Sequence, residues 1–376
     1  MGNLPAEGAI PPEAGATGRE DISHHSLRAV LAAPRPPRRG RLTKLTIIAI
    51  KPSLVTWKDP APPTPEAVIR TPQPRLLTPL ALAAALTLTG CGTQDRPAEA
   101  DGRIPVVAST DVYGSIVAAV GGERVQVTSL IDNSRADPAA YDSTPSDAVA
   151  VSRARLVIGN GGGYDDFIFR LTDAAGGDRT VLDVSDVSGL KDHVPSGGEF
   201  NEHVWFDLAA MQRLGDRIAE DLIAQDPSGA AIYRAGAGRF RTEVEALRTQ
   251  VAELAGAANR ARVAVTEPLP LYLVEQAGLV NATSKEFMEA SEEGTDAPAA
   301  VVQRTLALVT GSNPVRALLL NAQTQTPATD RLRAAAASAG VPEVQVFENI
   351  GDPTEGYVTW MKAQIEALVR ALEPTP

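Results

Sequence analysis

The chain has 376 residues, enough for two domains with separate hydrophobic cores. Its 35 basic and 46 acidic side chains leave a net charge of −11, which argues against nucleic acid as a partner, because phosphate binding needs a basic face. A single cysteine, Cys91, excludes an intramolecular disulfide and a cysteine-rich metal site.

The charge is unevenly spread. Residues 1–90 hold 11 Lys/Arg, 6 Asp/Glu and 14 of the 29 prolines, which leaves a net charge of −16 for 91–376. With Trp57 as its one aromatic, this first stretch has too little apolar surface to offset the entropy of ordering, and its composition predicts disorder. A mostly apolar run of 15 residues, Leu76 to Gly90, then follows Arg75. It is too short to span a bilayer as a helix and has the length of a signal-peptide core. Its ending, Leu88-Thr89-Gly90-Cys91, resembles the lipobox of bacterial lipoproteins, which implies cleavage before Cys91 and acylation of its thiol and new amino group. The plainer reading is a buried helix with a chance cysteine. The polar TQDRPAEADG that follows fits a lipid-anchored tether over 91–103 instead. Signal peptides lie at the true N-terminus, so this one predicts that translation starts near Val68 to Thr71. The preceding residues, including KLTIIAIK, would then be upstream DNA read as protein, and natural peptides from 1–60 would count against it.

From residue 104 short β-branched runs alternate with helical stretches. IPVVAS, VQVTSL, RLVIGN and TVLDVS read as buried strands of a parallel sheet, with helices starting at signals such as Ser146-Asp147 after Pro145. Leu208, Met211, Leu214, Ile218 and Leu222 share one helical face, and that helix stops at Asp226-Pro227-Ser228-Gly229. From Ala231 to about Ala257 no strand signal occurs, and Phe240, Val244, Leu247, Val251 and Leu254 fall at heptad spacing. That predicts one long amphipathic helix, packed along its own protein rather than in a coiled coil. The βα pattern resumes with RVAVTEP, VRALLLNAQTQTP and VQVFENIG and ends in the helix GYVTWMKAQIEALVRAL. The expected fold is α/β: lobes over 104–226 and 261–376, each a small parallel sheet flanked by helices, joined by one long rigid helix over 227–260.

In open α/β sheets ligands bind at the carboxyl ends of the strands. Those ends carry Thr110-Asp111, Asn160 before Gly161-Gly162-Gly163, Glu267, Asn321 and Glu348. The three glycines lack a following Gly-Lys-Ser/Thr and read as a turn rather than a phosphate loop. A strand-end acid is as often a helix cap as a ligand, and a lone histidine such as His203 in NEHVWFDL is more often structural. Together, however, His203, Glu267 and Glu348 compose a candidate N/O site for zinc or manganese. Neither G-x-S-x-G nor H-E-x-x-H occurs.

DPAAYDSTPSD, NEHVWFDL, TEPLPLYL and VFENIG resemble, in order, the four ligand segments of the metal-binding proteins (cluster A-I) of ABC-type zinc and manganese importers. The resemblance covers about residues 104–372 and is closest to the actinobacterial branch, which shares EEGTD (Glu292 to Asp296) and N-x-Q-T-x-T-P (Asn321 to Pro327). It implies a monomeric solute-binding lipoprotein, not an enzyme, anchored through Cys91 at the outer face of the cell membrane. Such a protein holds Zn2+ or Mn2+ between two lobes and passes it to a membrane permease. The implied ligands are His203, Glu267 (with Tyr272 keeping the register) and Glu348. The first segment departs from the family: Asp137-Pro138-Ala139-Ala140-Tyr141-Asp142 carries alanine where the pattern has histidine. Three outcomes follow. The site is open, with three protein ligands and water; or His193, Asp137 or Asp142 compensates; or high-affinity binding is lost and the chain acts as an adhesin or regulatory subunit. A zinc-dependent cell-surface hydrolase is the remaining alternative.

Overall fold

Runs of Val, Ile and Leu bounded by turn residues form two small sheets in the computed structural model, which describes residues 102–133, 138, 141–194, 198–258, 260–352 and 354–373. Cys91, the apolar run before it, Asp137 and Ala139 lie outside the described residues. The first lobe comprises β1 (Ile104–Thr110), α1 (Asp111–Gly121), β2 (Val125–Ile131), α2 (Pro145–Arg153), β3 (Leu156–Gly159), α3 (Asp166–Ala175), β4 (Thr180–Asp183), α4 (Val184–Ser188) and α5 (Leu208–Gln225). After α6 (Ala230–Ala258) the second lobe follows with β5 (Arg262–Val265), α7 (Leu271–Gln276), β6 (Val280–Asn281), α8 (Lys285–Glu292) and α9 (Ala299–Thr310). It closes with β7 (Ala317–Asn321), α10 (Pro327–Ala339), β8 (Glu343–Val346) and α11 (Tyr357–Leu372).

Both sheets are parallel and share one strand order, β2-β1-β3-β4 and β6-β5-β7-β8. Their carboxyl ends therefore gather the chain's strand-end polar residues, as in other open α/β sheets. The inner strands β3 and β7 are buried throughout. The edge strands correct the expectation of buried strands: β2 and β8 alternate buried with exposed residues, and most of β4 is partly open. An edge strand is covered by sheet on one side only, so its outward residues meet solvent. β6, at two residues, is too short to show a period in the sequence.

Helix α2 starts earlier than Ser146-Asp147. Its N-cap is Thr144, whose hydroxyl accepts from the Asp147 amide while the Asp147 side chain accepts from the Thr144 amide, with Pro145 in the first turn. The apolar face of α5 is buried along its length, from Leu208 to Leu222. On the 29-residue α6 all five heptad residues are buried, against α5, α1 and α11. Each large side chain so covered contributes about 1.5–3 kcal/mol, so this face stabilises its own chain. At the crossing of α6 with α1, a Cβ on Gly236 would stand 2.2 Å from the Val120 carbonyl oxygen, so the approach requires glycine. Among the described residues no helix is long and apolar enough to cross a membrane.

Candidate metal site between the lobes

His203 stands at the start of a 3-10 turn, Val204–Phe206, whose three side chains are all buried and fix the loop to the core. The histidine itself is 4% exposed, edge-on to the rings of Trp205 and Tyr164. Asn201 sets its orientation. The Asn201 amide nitrogen donates to the Pro268 carbonyl at 3.1 Å, so its Oδ1 faces the histidine, accepting from the His203 backbone amide at 3.2 Å and from Nδ1 at 2.7 Å. Nδ1 therefore carries the ring proton and Nε2 presents a lone pair. Burial pushes the His203 pKa down to about 3, which keeps the imidazole neutral and fit to donate to a cation. Tyr272, on α7, holds the same loop by donating to the Asn201 carbonyl at 2.8 Å.

The second lobe supplies two carboxylates. Glu267 lies two residues beyond β5 and Glu348 two beyond β8, and they are 2% and 8% exposed. Asn321, the last residue of β7, stands between them: its side-chain nitrogen donates to Glu267 Oε2 at 2.5 Å and to Glu348 Oε1 at 2.7 Å. Its Oδ1 is taken by the Gln323 amide, and its backbone amide donates to the Thr266 hydroxyl. The amide group is thus fixed with its hydrogens toward the acids. From the first lobe Tyr164 donates to Glu348 Oε2 at 3.1 Å. Three successive glycines at φ 72°, 69° and 102° make the turn that delivers Tyr164, a backbone path that side-chain-bearing residues rarely follow.

Glu292, the last residue of α8, places Oε1 3.6 Å from His203 Nε2. Burial, then the nearby Glu202 and Glu348 carboxylates, pushes the Glu292 pKa up to about 8. With the imidazole neutral, the contact is not an ion pair. Among the described residues no three His, Cys, Asp or Glu side chains are grouped closely enough to hold a metal ion. They stand in two pairs, His203 with Glu292 and Glu267 with Glu348, and Tyr164 lies between the pairs, bonded to Glu348 and edge-on to the His203 ring.

Residues 106–371 match the model of the family described as "ZnuA: Zinc-uptake complex component A periplasmic". The chain belongs to this family. Among similar proteins, the manganese-binding lipoprotein MntA of Halalkalibacterium halodurans is 30% identical over 169 residues, 44% of this chain and 55% of that protein. The high-affinity zinc uptake system protein ZnuA of Paracoccus denitrificans is 26% identical over 248 residues, 56% of this chain and 74% of that protein. The chain spans between half and two thirds of the length of the manganese-binding relatives it matches. In fold it is similar to the periplasmic zinc-binding protein TroA from Treponema pallidum, with a TM-score of 0.62 at 20% identity, covering 73% of this chain and 100% of that one. By name these relatives are metal-binding or metal-uptake proteins.

Within this family member, Asn321 joins Glu267 to Glu348, and Tyr164 donates to Glu348 with its ring edge-on to that of His203. His193 does not join them: it ends an exposed 3-10 turn, Leu190–His193. Asp142 is also exposed. Sequence reasoning missed Asn201, Tyr164 and Glu292 as members of the site. They are the Asn two residues before the histidine, the aromatic after the glycine turn and the first acid of EEGTD, and nothing local sets them apart.

Proposed function

We propose that the protein is an extracytoplasmic solute-binding lipoprotein that takes up a divalent transition metal, zinc or manganese, between its lobes and passes it to an ABC-type permease. The observation that carries this is the His203 imidazole: buried, neutral, its Nδ1 held by Asn201 and its Nε2 left to face the Glu292 carboxyl at 3.6 Å. A hydrogen-bonded Nδ1 is the usual support for a metal-ligating histidine, fixing its tautomer and raising its basicity. In this reading His203, Glu267 and Glu348 hold the cation as cargo. A dication also relieves the repulsion among buried carboxylates that the apo protein meets with the Asn321 amide and the Tyr164 hydroxyl. Residues 91–103 serve as the tether and Cys91 as the lipid-bearing residue. Cys91→Ser should then release protein into the medium or leave uncleaved precursor, and a processed, membrane-bound variant would contradict the anchor.

Equilibrium dialysis of the purified, untagged chain against micromolar zinc and manganese tests the central claim. One equivalent should bind, and His203→Ala should weaken binding at least a hundredfold, about 2.7 kcal/mol or more. A wild-type chain that retains neither metal would overturn the reading in favour of a family member without metal-carrying activity.

A further inference from the structure

The pairing of His203 with Glu292 goes beyond the three ligands that the sequence pattern supplies. Among the described residues His203 makes its ring hydrogen bond through Nδ1, to Asn201, and its Nε2 faces the Glu292 carboxyl, with Oε1 at 3.6 Å. That separation is too long for a hydrogen bond. It is close to the spacing of two donors on one ion: ligand atoms about 2.1 Å from a cation at a tetrahedral angle stand about 3.4 Å apart. Glu292 is also held in place as a group. It ends α8, which is fixed at its middle by the buried Phe287 and Met288, and its side chain, 32% exposed, is turned far enough in to stand beside His203. Its neighbour Glu293 lies beyond the helix end.

Resting on the function proposed above, we propose that Glu292 is a fourth protein donor to the transported cation, and that the resulting set of one imidazole and three carboxylates fits a hard divalent ion of the manganese class. Carboxylate oxygens suit manganese, whereas each added imidazole favours zinc. Zinc binds more tightly than manganese to almost any such set by the general order of divalent affinities, so the consequence lies in the margin. An oxygen-rich set narrows the zinc-over-manganese margin, which lets manganese occupy the protein wherever free zinc is scarce. Ala139, at the position where the family pattern has histidine, offers no donor atom. Glu292 supplies the fourth donor from the other lobe.

The test measures manganese and zinc dissociation constants for the full, untagged chain by competition with a chromophoric chelator, with pulsed EPR of bound Mn2+. Glu292→Gln should weaken manganese binding at least tenfold, about 1.4 kcal/mol. Glu293→Gln, a charge-matched control one residue away, should stay within twofold. Glu292→His, which exchanges an oxygen donor for a nitrogen donor, should raise the zinc-to-manganese affinity ratio at least tenfold. Its EPR should show two ligating nitrogens where the wild type shows one. The proposal is overturned if Glu292→Gln and Glu293→Gln are indistinguishable while His203→Ala still abolishes binding; metal carriage by His203, Glu267 and Glu348 would then stand without Glu292. It is equally overturned if Glu292→His adds no second nitrogen. A wild-type chain that binds neither ion defeats this proposal and the parent function together.

Discussion

Asn160 follows β3 in the first lobe as Asn321 ends β7 in the second, and both strands hold the third place in the same four-strand order. Both amides are buried. Asn160 uses its side chain on its own lobe: its Oδ1 accepts from the Tyr113 hydroxyl, and its nitrogen donates to the carbonyls of Gly161 and Glu202. Asn321 turns its nitrogen to two carboxylates. The acids at the neighbouring strand ends divide by the kind of group they meet, even where Asp111 reaches across to the second lobe. Asp111, after β1, accepts from the backbone amides of Ile350 and Gly351, and Asp183, at the end of β4, caps α4. Their counterparts after β5 and β8, Glu267 and Glu348, are the acids that Asn321 spans. One topology thus carries two kinds of strand end. In the first lobe they satisfy backbone groups; in the second they collect negative charge that a cation can neutralise. The first lobe's contribution to the site, His203, comes instead from the loop before α5.

The division between the two asparagines can be broken by exchanging their losses. Asn321→Ala should weaken metal binding ten- to a hundredfold, the usual effect of removing a group that orients metal ligands. Asn160→Ala should act mainly on the fold. It strands the buried Tyr113 hydroxyl, at a cost of about 1–3 kcal/mol, while the Gly161 and Glu202 carbonyls keep the backbone amides of Tyr164 and Val204. Metal affinity should fall by less than in Asn321→Ala, because only the bond to Glu202 reaches the His203 loop. Thermal melts alongside dialysis separate the two effects. Equal losses of affinity at equal stability would dissolve the contrast.

How much of this was legible in the sequence follows from the range of each interaction. The heptad residues of α6, the apolar face of α5 and the inner strands are local patterns, and period alone identifies them. Which strands lie at the edges depends on strand order, and the openness of β2, β4 and β8 was invisible for that reason. Glu267 and Glu348 could be singled out because strand ends face ligands in this class of sheet. Glu292 could not. Its charge looks like any acid at a helix end, where the dipole disfavours it, and only the packing of α8 brings it to His203. Asn201 and Tyr164 were hidden similarly, since a polar residue beside a ligand shows its role only through its hydrogen bonds.

A smaller effect should come from Tyr164, a first-lobe residue that donates a hydrogen bond to a second-lobe acid. Tyr164→Phe keeps the ring against Trp205 and deletes the hydroxyl bonded to Glu348. A hydrogen bond to a charged acceptor contributes about 1.5–3 kcal/mol, but the metal takes over part of that neutralisation once bound. Metal affinity should change about three- to tenfold, and the direction is informative. A fall means the hydroxyl orients Glu348 in the loaded protein. A rise means it competes with the metal. No change would remove Tyr164 from the site.

The smallest effect on metal is expected at Asp183, the counterpart of the strand that leads to Glu348. Its carboxylate accepts from the Ser185 hydroxyl and, at 3.3 Å, from the Asp186 amide, and Lys191 Nζ stands 4.0 Å away. These are the bonds of a helix N-cap with a half-exposed ion-pair partner. Removing such a cap costs about 0.5–2 kcal/mol, and the screened pair adds little. Asp183→Ala should therefore lower the melting temperature by a few degrees, on the scale of about 2–4 °C per kcal/mol for a domain of this size. Metal affinity should stay within twofold of wild type. The carboxylate also packs against Gly161, where a Cβ would meet Asp183 Oδ1 at 2.1 Å, so its loss leaves space beside the turn that carries Tyr164. If that space loosens the turn, the variant should resemble Tyr164→Phe in metal affinity, and restoring bulk with Asp183→Asn should reverse the change. A tenfold loss of metal affinity that Asp183→Asn does not reverse would mean that the charge itself acts on the site, and the first lobe's strand ends would then belong to the metal-binding machinery.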